Sequence, residues 1–409
     1  MTKASFVITT LILLATPAAW ATTGQEPHPP TALEIPFLER DPMGARWTAM
    51  GGAAIGAVDD GSSMAINPAG LGRIRRIEIL GTIQKQSLDI DATWFGTTAS
   101  RSLSSTALRE LTLSFPFPTY RGSLVMAGSV ARRNVIDAYT VRSGTDPDGD
   151  VPNRDSEERN GTVTAWGGGM ALQVSSQAFV GFEVHGFTGG YEETDKWDVW
   201  GGCENVRFAW DTDVGGYGAS IGFQYEPMPL FEVGAVLKTP QRISLEGEID
   251  QPASEAGCPQ RIYSIDDTAT LPYSVGVGIA VAPSTFLVTA DLAYTDWHET
   301  KYPGPTRDAD TDEYIYDQTT DIRLGVEYGL PTLPFRFRAG YAWVPLELNW
   351  FEVTKDRTSI SLGAGAVVES ALTFDIAWQR TSFERESTLD SYSEKRTNDR
   401  LLLTLAYRF

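Results

Sequence analysis

The sequence contains no long apolar run after its N-terminus. A transmembrane helix needs about 20 consecutive apolar residues, and no stretch of about 18 such residues occurs beyond residue 21. A helical membrane protein is therefore excluded. Yet 42% of the 409 residues are hydrophobic and 11% are aromatic. Something other than a bundle of membrane helices must bury this apolar surface.

Basic residues, cysteine and histidine are also scarce. The chain has 33 Lys and Arg against 53 Asp and Glu, a formal net charge of -20, which argues against nucleic acid as a partner. Its two cysteines cannot form a disulfide framework. Because none of the three histidines has a serine in a recognisable nucleophile elbow beside it, we predict that the protein is not an enzyme. No Cys/His cluster has metal-ligand spacing, so neither a metal nor a cofactor is expected.

The N-terminus has the pattern of an export signal. Lys3 precedes an apolar run from Phe6 to Thr16, and Ala19-Trp20-Ala21 fits the small-x-small cleavage rule. We predict a cleaved signal peptide over residues 1–21, followed by a mobile linker over residues 22–40. The mature protein is therefore expected outside the cytoplasm.

From about residue 76 onward, apolar and polar residues alternate. In Phe286–Tyr294 the even positions are apolar, whereas Thr289 and Asp291 fall on the other face. The segments 322–328, 335–343 and 372–378 repeat this arrangement. Charges placed between apolar residues cannot all face a dry core. The pattern predicts strands with an apolar exterior and a hydrated lumen.

Fourteen alternating segments can be counted. They cover roughly residues 76–94, 110–117, 122–142, 162–174, 178–198, 211–226, 231–249, 270–282, 285–300, 319–330, 334–345, 357–369, 372–385 and 399–409. Tight connections alternate with longer polar ones such as 143–160, 303–317 and 384–398, which we expect to be outer loops. The predicted fold is all-β, a transmembrane antiparallel barrel of about 14 strands over residues 76–409 in the outer membrane. A β-sandwich would explain neither the loop asymmetry nor the export signal.

The last segment ends on an aromatic residue. One face of this strand presents Leu401, Leu403, Leu405, Tyr407 and Phe409. A terminal Phe on the lipid face resembles the C-terminal signal read by the barrel-assembly machinery, so this machinery and outer-membrane lipids are expected partners.

The two cysteines fall in neighbouring connections of the predicted barrel. Cys203 lies between strands 5 and 6, and Cys258 lies between strands 7 and 8. Both connections are on the outer rim. An oxidising compartment favours a disulfide between them, and two unpaired thiols are the alternative.

Residues 41–75 show no alternation and are rich in small residues. They include Gly51-Gly52, Asp59-Asp60 and Asn67-Pro68-Ala69. Small residues allow close backbone packing, and Asn67-Pro68 is a turn initiator. No lysine stands at Walker spacing from the glycine pair, which excludes a phosphate loop. We predict a compact plug inside the barrel.

The order of motifs in this plug resembles that of a known family. The motifs are Gly44-Ala45-Arg46, Met50-Gly51-Gly52-Ala53, Asp59-Asp60 and Asn67-Pro68-Ala69-Gly70-Leu71. They are similar to the hatch of the FadL-like long-chain fatty acid transporter family of outer-membrane proteins, which includes toluene-transport and PorV-like relatives. Residues 271–278, 290–297 and 338–342 are also similar to that family. The resemblance covers the plug and about the last third of the chain.

The resemblance implies a 14-stranded barrel whose hatch, residues 41–75, fills the lumen. Gating is then expected at Gly51, Gly52, Asp59, Asp60, Asn67, Pro68 and Ala69. Family members pass hydrophobic molecules from an outer groove into the barrel and then sideways into the bilayer at strand 3. Strand 3 contains Gly128 and Arg132-Arg133-Asn134, where we predict a break in pairing. The connection carrying Cys203 is short, whereas fatty acid transporters of the family build an apolar groove from long helical loops in that region.

Two sets of arginines are candidate ligand-binding residues. Arg323, Arg336 and Arg338 are predicted to face the lumen beside Asp321 and Glu327. They form either a cross-strand charge ladder, which we favour, or a clamp for a ligand carboxylate. Arg132 and Arg133 near strand 3 are the second set.

The leading functional hypothesis is passive transport of hydrophobic small molecules, with long-chain fatty acids as the favoured substrate. A PorV-like accessory barrel that binds protein cargo or a secretion complex is the second. A general polar porin is the third, and a hatch filled by residues 41–70 would suppress its conductance. Because lateral release needs free barrel wall, a monomer is expected.

Overall fold

The computed structural model describes most of the chain after the N-terminal region. The described residues are 44–94, 97–120, 122–145, 152–200, 203–253, 259–301, 314, 316–348, 352–369, 371–387 and 392–409. The predicted signal peptide, the predicted linker and residues 41–43 of the predicted plug lie outside them.

Sixteen strands account for most of the described residues. They are β1 Glu78–Trp94, β2 Thr97–Phe117, β3 Leu124–Thr145, β4 Pro152–Gln173, β5 Ala178–Trp200, β6 Cys203–Met228, β7 Phe231–Lys238, β8 Gln241–Gln251, β9 Arg261–Leu271, β10 Ser274–Val281, β11 Phe286–Thr295, β12 Thr319–Gly329, β13 Phe335–Val344, β14 Glu352–Val368, β15 Leu372–Ser387 and β16 Tyr392–Arg408.

The strands form one antiparallel sheet that closes on itself. Strand β1 pairs with both β2 and β16, and β5 pairs with β6. The end of β6 pairs with β7 and its middle pairs with β8, so β7 and β8 form one wall strand interrupted at Thr239-Pro240. In the same way β9 and β10 form one strand interrupted at Pro272-Tyr273. The wall therefore has 14 strands, which confirms the predicted barrel.

Alternation along each strand separates the lumen from the exterior. In β16, Leu401, Leu403 and Leu405 are exposed, whereas Leu402 and Thr404 are buried. Outward apolar residues, called the apolar belt below, surround the end of the barrel where β1 begins and β16 finishes. They include Ile79, Ile83, Leu111, Leu113, Met126, Val277, Leu324, Phe374, Leu403 and Leu405. The short turns lie at this end, which assigns it to the periplasm.

Several strands continue well beyond the belt. Strand β3 runs to Thr145 and β4 starts at Pro152, while β15 runs to Ser387 and β16 starts at Tyr392. The predicted outer loops 143–160 and 384–398 are therefore wrong, because most of these residues are strand. The sequence in these segments is polar at most odd and even positions, so no alternation marks the strands. Most of the predicted loop 303–317 lies outside the described residues.

Residues 44–74, called the hatch below, fill the periplasmic half of the lumen. They form the helices α1 (Ala45–Ala49) and α2 (Ser63–Ile66) and a 3-10 helix (Pro68–Arg73). Trp47 and Leu71 are fully buried. Across the described residues, no helix is long and apolar enough to cross a membrane. The predicted plug inside the barrel is confirmed.

The outer half of the lumen contains a different set of buried side chains. This outer apolar cluster comprises Ala92, Val163, Ala165, Phe187, Val214, Ile243, Leu245, Ile249, Ile265, Ala269, Leu271, Trp297, Tyr316, Leu348 and Tyr392. The prediction of a hydrated lumen did not include this cluster of apolar side chains. Buried ion pairs such as Arg159–Glu193 and Arg385–Glu394 also lie in this half, so apolar and charged side chains both face the lumen here. Alternation alone does not show which face of a strand is inside.

Candidate functional site

The corner Asn67-Pro68-Ala69 is a fully buried junction between hatch and wall. The Asn67 side-chain nitrogen donates to the carbonyl oxygens of Ile55 (2.8 Å) and Phe223 on β6 (3.1 Å). Its side-chain oxygen accepts from the backbone N–H of Ala69 (3.2 Å). Pro68 starts the 3-10 helix, where its missing N–H costs no hydrogen bond. Asn67 therefore joins two parts of the hatch to the barrel.

Close approach of the hatch to the wall depends on lumen-facing glycines. A Cβ atom at Gly222 would lie 1.9 Å from the side-chain oxygen of Asn67, and one at Gly181 would lie 2.2 Å from the carbonyl carbon of Pro68. Any side chain at either position would overlap the hatch. The motif search in the sequence missed these wall residues, although both are glycines at lumen-facing positions of a strand.

The predicted gating glycines form a turn against the opposite wall. Gly51 and Gly52 have φ angles of 66° and 81°, a region that favours glycine. A Cβ atom at Gly340 on β13 would lie 2.0 Å from the backbone nitrogen of Gly51. The hatch backbone therefore touches the barrel on two sides.

Carboxylates of the wall accept hydrogen bonds from backbone N–H groups of the hatch. Asp291 on β11 accepts from Ala54 (2.6 Å) and Ile55 (2.9 Å), and Glu78 on β1 accepts from Gly61 (2.8 Å). The alternation of apolar and polar residues in the sequence predicted that Asp291 faces the lumen, but it could not show which residues donate hydrogen bonds to it. These acceptors satisfy buried N–H groups that have no strand or helix partner.

The paired residues Asp59 and Asp60 of the hatch have different surroundings. Asp59 is partly exposed and forms an ion pair with Arg46 (2.6 Å). Asp60 is buried and accepts from the Trp47 indole N–H (3.1 Å) and the Ser62 backbone N–H (3.0 Å). Burial, with the negative charges of nearby carboxylates, raises the pKa of Asp60 to about 7.

The predicted lumen arginines are ion-paired along β12 to β15. Arg338 contacts Glu327 and Asp375, each at 2.6 Å. Arg336 lies 3.3 Å from Glu327, and Arg323 lies 3.2 Å from Asp321. This geometry favours the charge ladder over the ligand clamp, since each guanidinium has a carboxylate of the wall as partner.

The ladder is also connected to the hatch. Glu327 accepts a hydrogen bond from Arg46 (3.2 Å). On the periplasmic side, a cavity of about 460 Å³ separates hatch and wall, with Arg46, Asp59 and Arg73 on one side and Glu327 and Arg336 on the other. The periplasmic mouth is therefore lined by charged groups of both signs.

Pairing between β2 and β3 covers a short part of these strands. It runs from Phe117–Leu124 up to Glu110–Ala131. Beyond these pairs the structure describes no pairing between β2 and β3, although β2 stays paired with β1 and β3 with β4. We call the interval between residues 97–109 and residues 132–145 the seam. The break in pairing predicted at strand 3 is confirmed.

Arginines mark the base of the seam. The register of β3 on β4 shifts between Arg132 and Asn134, so Arg133 is the extra residue. The register of β2 on β1 shifts at Arg109 in the same way. Arg109 donates through Nη1 to the backbone oxygen of Arg132 (2.6 Å). Sequence analysis missed Arg109, because a bulge depends on the register with the neighbouring strand.

The cysteine prediction is only partly covered by the structure. Cys203 is the first residue of β6, and its backbone pairs with Trp200 of β5 across a tight connection. Cys258 lies outside the described residues. The disulfide therefore stays a prediction.

These observations define the class of the protein as a closed 14-stranded transmembrane β-barrel with an internal hatch and an interrupted wall. Solved structures share the fold of this chain over nearly their whole length. A Pseudomonas aeruginosa FadL homologue has a TM-score of 0.63 and 15% identity, with 91% of this chain and 99% of that chain covered. The Pseudomonas putida toluene transporter TodX has a TM-score of 0.65 and 14% identity, with 91% and 100% covered. The Ralstonia pickettii toluene transporter TbuX has a TM-score of 0.64 and 16% identity, with 90% and 99% covered.

Similarity to known proteins lies in the fold and not in the sequence. No family model matches the chain, and no curated protein matches it by sequence. At 14–16% identity the solved structures share the fold of this protein, and function has to be argued from the site.

Proposed function

We propose that this protein passes hydrophobic small molecules across the bacterial outer membrane without an energy source of its own. The observation that carries the proposal is the outer apolar cluster, which lies above the closed hatch and beside the seam. A polar pore would not need such a lining. The solved structures of toluene transporters with the same fold support the proposal.

The route we propose runs from the outer apolar cluster to the seam and then into the lipid. The hatch occupies the periplasmic half, where Asn67 and Leu71 are fully buried. The seam begins next to Ala131 on β3, and the neighbouring β4 contributes Val163 and Ala165 to the apolar cluster. Over the whole route, transfer of apolar surface from water into lipid releases about 0.8 kcal/mol per methylene. A monomer leaves the wall at the seam accessible to lipid.

Long-chain fatty acids are the substrate class we propose to test first, with toluene as the alternative. Aromatic side chains such as Phe187, Trp297 and Tyr392 contribute to the cluster beside aliphatic ones. Both aliphatic chains and aromatic rings pack well against such a surface. Comparison of the two substrates in one assay decides which class is taken up.

The test is uptake of labelled oleate and labelled toluene by cells that lack their own transporter and express this protein. Asn67→Ala removes the side chain that joins the hatch to β6, and we expect uptake to fall at matched surface level. Gly81→Ala is the control, because its Cβ atom would meet its neighbours at 3.8 Å or more. No uptake of either compound by a folded barrel would contradict the proposal. A stoichiometric protein partner in a pull-down would then favour the accessory barrel.

A further inference from the structure

The base of the seam lies at the upper edge of the apolar belt. The last outward apolar residues beside it are Leu108 on β2 and Val130 on β3, which are 54% and 49% exposed. The next outward position of β2 is the exposed Thr106. An apolar belt ends where the hydrocarbon of the membrane gives way to polar head groups. The seam therefore starts at the level of the head groups.

Two arginines, Arg109 and Arg132, lie at this level. Arg109 is 5% exposed and donates across the base of the seam to the backbone oxygen of Arg132 (2.6 Å). Arg132 donates through Nη2 to the hydroxyl of Thr162 on β4. Its Nε is buried and has no hydrogen-bond partner among the described residues.

The surroundings of Arg132 differ from those of the arginines inside the barrel. Arg159 is paired with Glu193 (2.6 Å), and Arg385 is paired with Glu394 (2.7 Å). Arg338 has two carboxylate partners. Within the part of the chain that the structure describes, Arg132 has a hydroxyl partner and no carboxylate. A buried N–H without an acceptor is unfavourable until an acceptor binds.

We propose that the base of the seam binds the oxyanion head group of an amphiphile, a carboxylate or a phosphate, through Arg132 with Arg109 beside it. A guanidinium matches either group in a bidentate geometry. The tail of the amphiphile would lie along Leu108, Val130 and Trp166, which are exposed on the same outer face. A carboxylate would come from a released substrate, so this source rests on the proposed function. A phosphate would come from a lipid of the outer leaflet.

The first part of the test maps where an amphiphile binds. The refolded protein in nonionic detergent is labelled with dodecanoate or dodecanol carrying a photoreactive diazirine in the tail, and adducts are mapped by mass spectrometry. We expect dodecanoate, but not dodecanol, to label residues 103–108 and 129–132. Arg132→Gln should lower this labelling about tenfold, and Arg132→Lys should lower it less, because lysine keeps the charge but loses the bidentate geometry.

The second part measures lipid A that copurifies with the protein from cells. Arg380→Gln is the matched control for both parts, since Arg380 is also on the outer face but is paired with Asp399 (2.7 Å). Heat-modifiable migration in gels verifies that each variant is folded. Loss of copurified lipid A in Arg132→Gln, with dodecanoate labelling unchanged, would support the site with a lipid phosphate as its source.

The remaining outcomes separate the two proposals. If dodecanoate labels the outer apolar cluster and Arg132→Gln changes neither labelling at the seam nor lipid A, the seam site is wrong and the transport proposal stands. If neither dodecanoate nor dodecanol labels any part of the barrel and lipid A is unchanged, both proposals are contradicted.

Discussion

The two halves of the lumen are built from the same strands but from different residues. Strand β6 presents Gly222 and Gln224 to the hatch, and higher up it presents Val214 to the outer apolar cluster. Strand β5 changes in the same way from Gly181 to Phe187. A hatch with exposed backbone groups needs glycines for close approach and polar side chains for hydrogen bonds. A passage for apolar molecules needs neither.

The two halves of the lumen also differ in the specificity of their contacts, with the hatch in one half and with a ligand in the other. The hatch is fixed by directional contacts such as those of Asn67 and Asp291, each of which requires one arrangement of donor and acceptor. The outer cluster offers apolar contact, which is nondirectional and tolerates different ligands. A periplasmic half closed by specific hydrogen bonds and an outer half that accepts different apolar ligands are what the proposed hydrophobic channel requires.

The largest expected effect comes from breaking the close approach of hatch and wall. In Gly222→Leu the new side chain would overlap Asn67, because even its Cβ atom would lie 1.9 Å from the Asn67 oxygen. Overpacking costs about 1–3 kcal/mol, which corresponds to a roughly 5- to 150-fold rise in the undocked hatch population. Ionic conductance in planar bilayers measures this rise. Gly81→Ala should leave conductance unchanged, and an unchanged conductance in Gly222→Leu would show that the hatch does not block the pore.

A smaller effect is expected when one acceptor of the wall is weakened. Asp291→Asn keeps a carbonyl oxygen near Ala54 and Ile55 but loses the negative charge. A charge-assisted hydrogen bond exceeds a neutral one by about 1 kcal/mol, so the exchange rate of these amides should rise about fivefold. Hydrogen exchange with mass spectrometry measures it. Thr289→Val is the matched control on the same strand, because among the described residues the buried Thr289 hydroxyl makes no hydrogen bond.

A polar side chain introduced into the outer half of the lumen should lower uptake of the hydrophobic substrate without opening the hatch. Leu245→Asn places an amide in the outer apolar cluster, where a buried polar group without partners is unfavourable. We expect uptake of the hydrophobic substrate to fall about threefold, a modest change because a single side chain of a large surface is altered. Ile262→Asn on the outward face of β9 is the control, since Ile262 is 61% exposed. An equal loss of uptake in both variants would show that the substrate does not bind at the outer apolar cluster.

A separate effect is a pH dependence of hatch docking through Asp60. Burial raises its pKa from 3.8 to about 7, so the docked hatch binds the proton more tightly than an undocked one. The resulting stabilisation is complete below about pH 4 and is lost as the pH rises through about 7. Hydrogen exchange of the hatch, corrected for intrinsic rates, should therefore increase from about pH 5 to about pH 8, by up to about a hundredfold.

Substitution of this carboxyl tests the assignment. Asp60→Asn should flatten the dependence, because the amide does not titrate, although its single oxygen can keep only one of the two hydrogen bonds, from Trp47 or from Ser62. Asp89→Asn on the outward face of β1 should leave the dependence intact. A pH dependence that persists unchanged in Asp60→Asn would assign it to other titratable groups.

The sequence predicted the parts of this protein that depend on local pattern. Alternation in segments such as 286–294 identified the strands of the belt, because a membrane strand must present apolar residues to lipid at every second position. The absence of alternation in residues 41–75 identified the hatch. Where strands leave the membrane, as in β3 and β4 near residues 143–160, this requirement ends and the prediction of loops was wrong.

Prediction of the candidate site required knowledge of contacts between residues that are far apart in the chain. Asn67 and Arg338 could be named from motif and periodicity, but their partners are far away in the chain and follow from the register of neighbouring strands. Arg109 at the base of the seam could not be named at all. A bulge is a relation between two strands, and no single strand carries a signal for it.

From the sequence by itself follow the prediction of export, the strands that cross the membrane and the segment rich in small residues that precedes them. These features are local, because they arise from the demands of lipid on consecutive residues. The tertiary structure alone decided which lumen residues hold the hatch, which side chains form the outer apolar cluster, and where β2 separates from β3. Those features depend on closure of the barrel, which brings residues hundreds of positions apart within hydrogen-bonding distance.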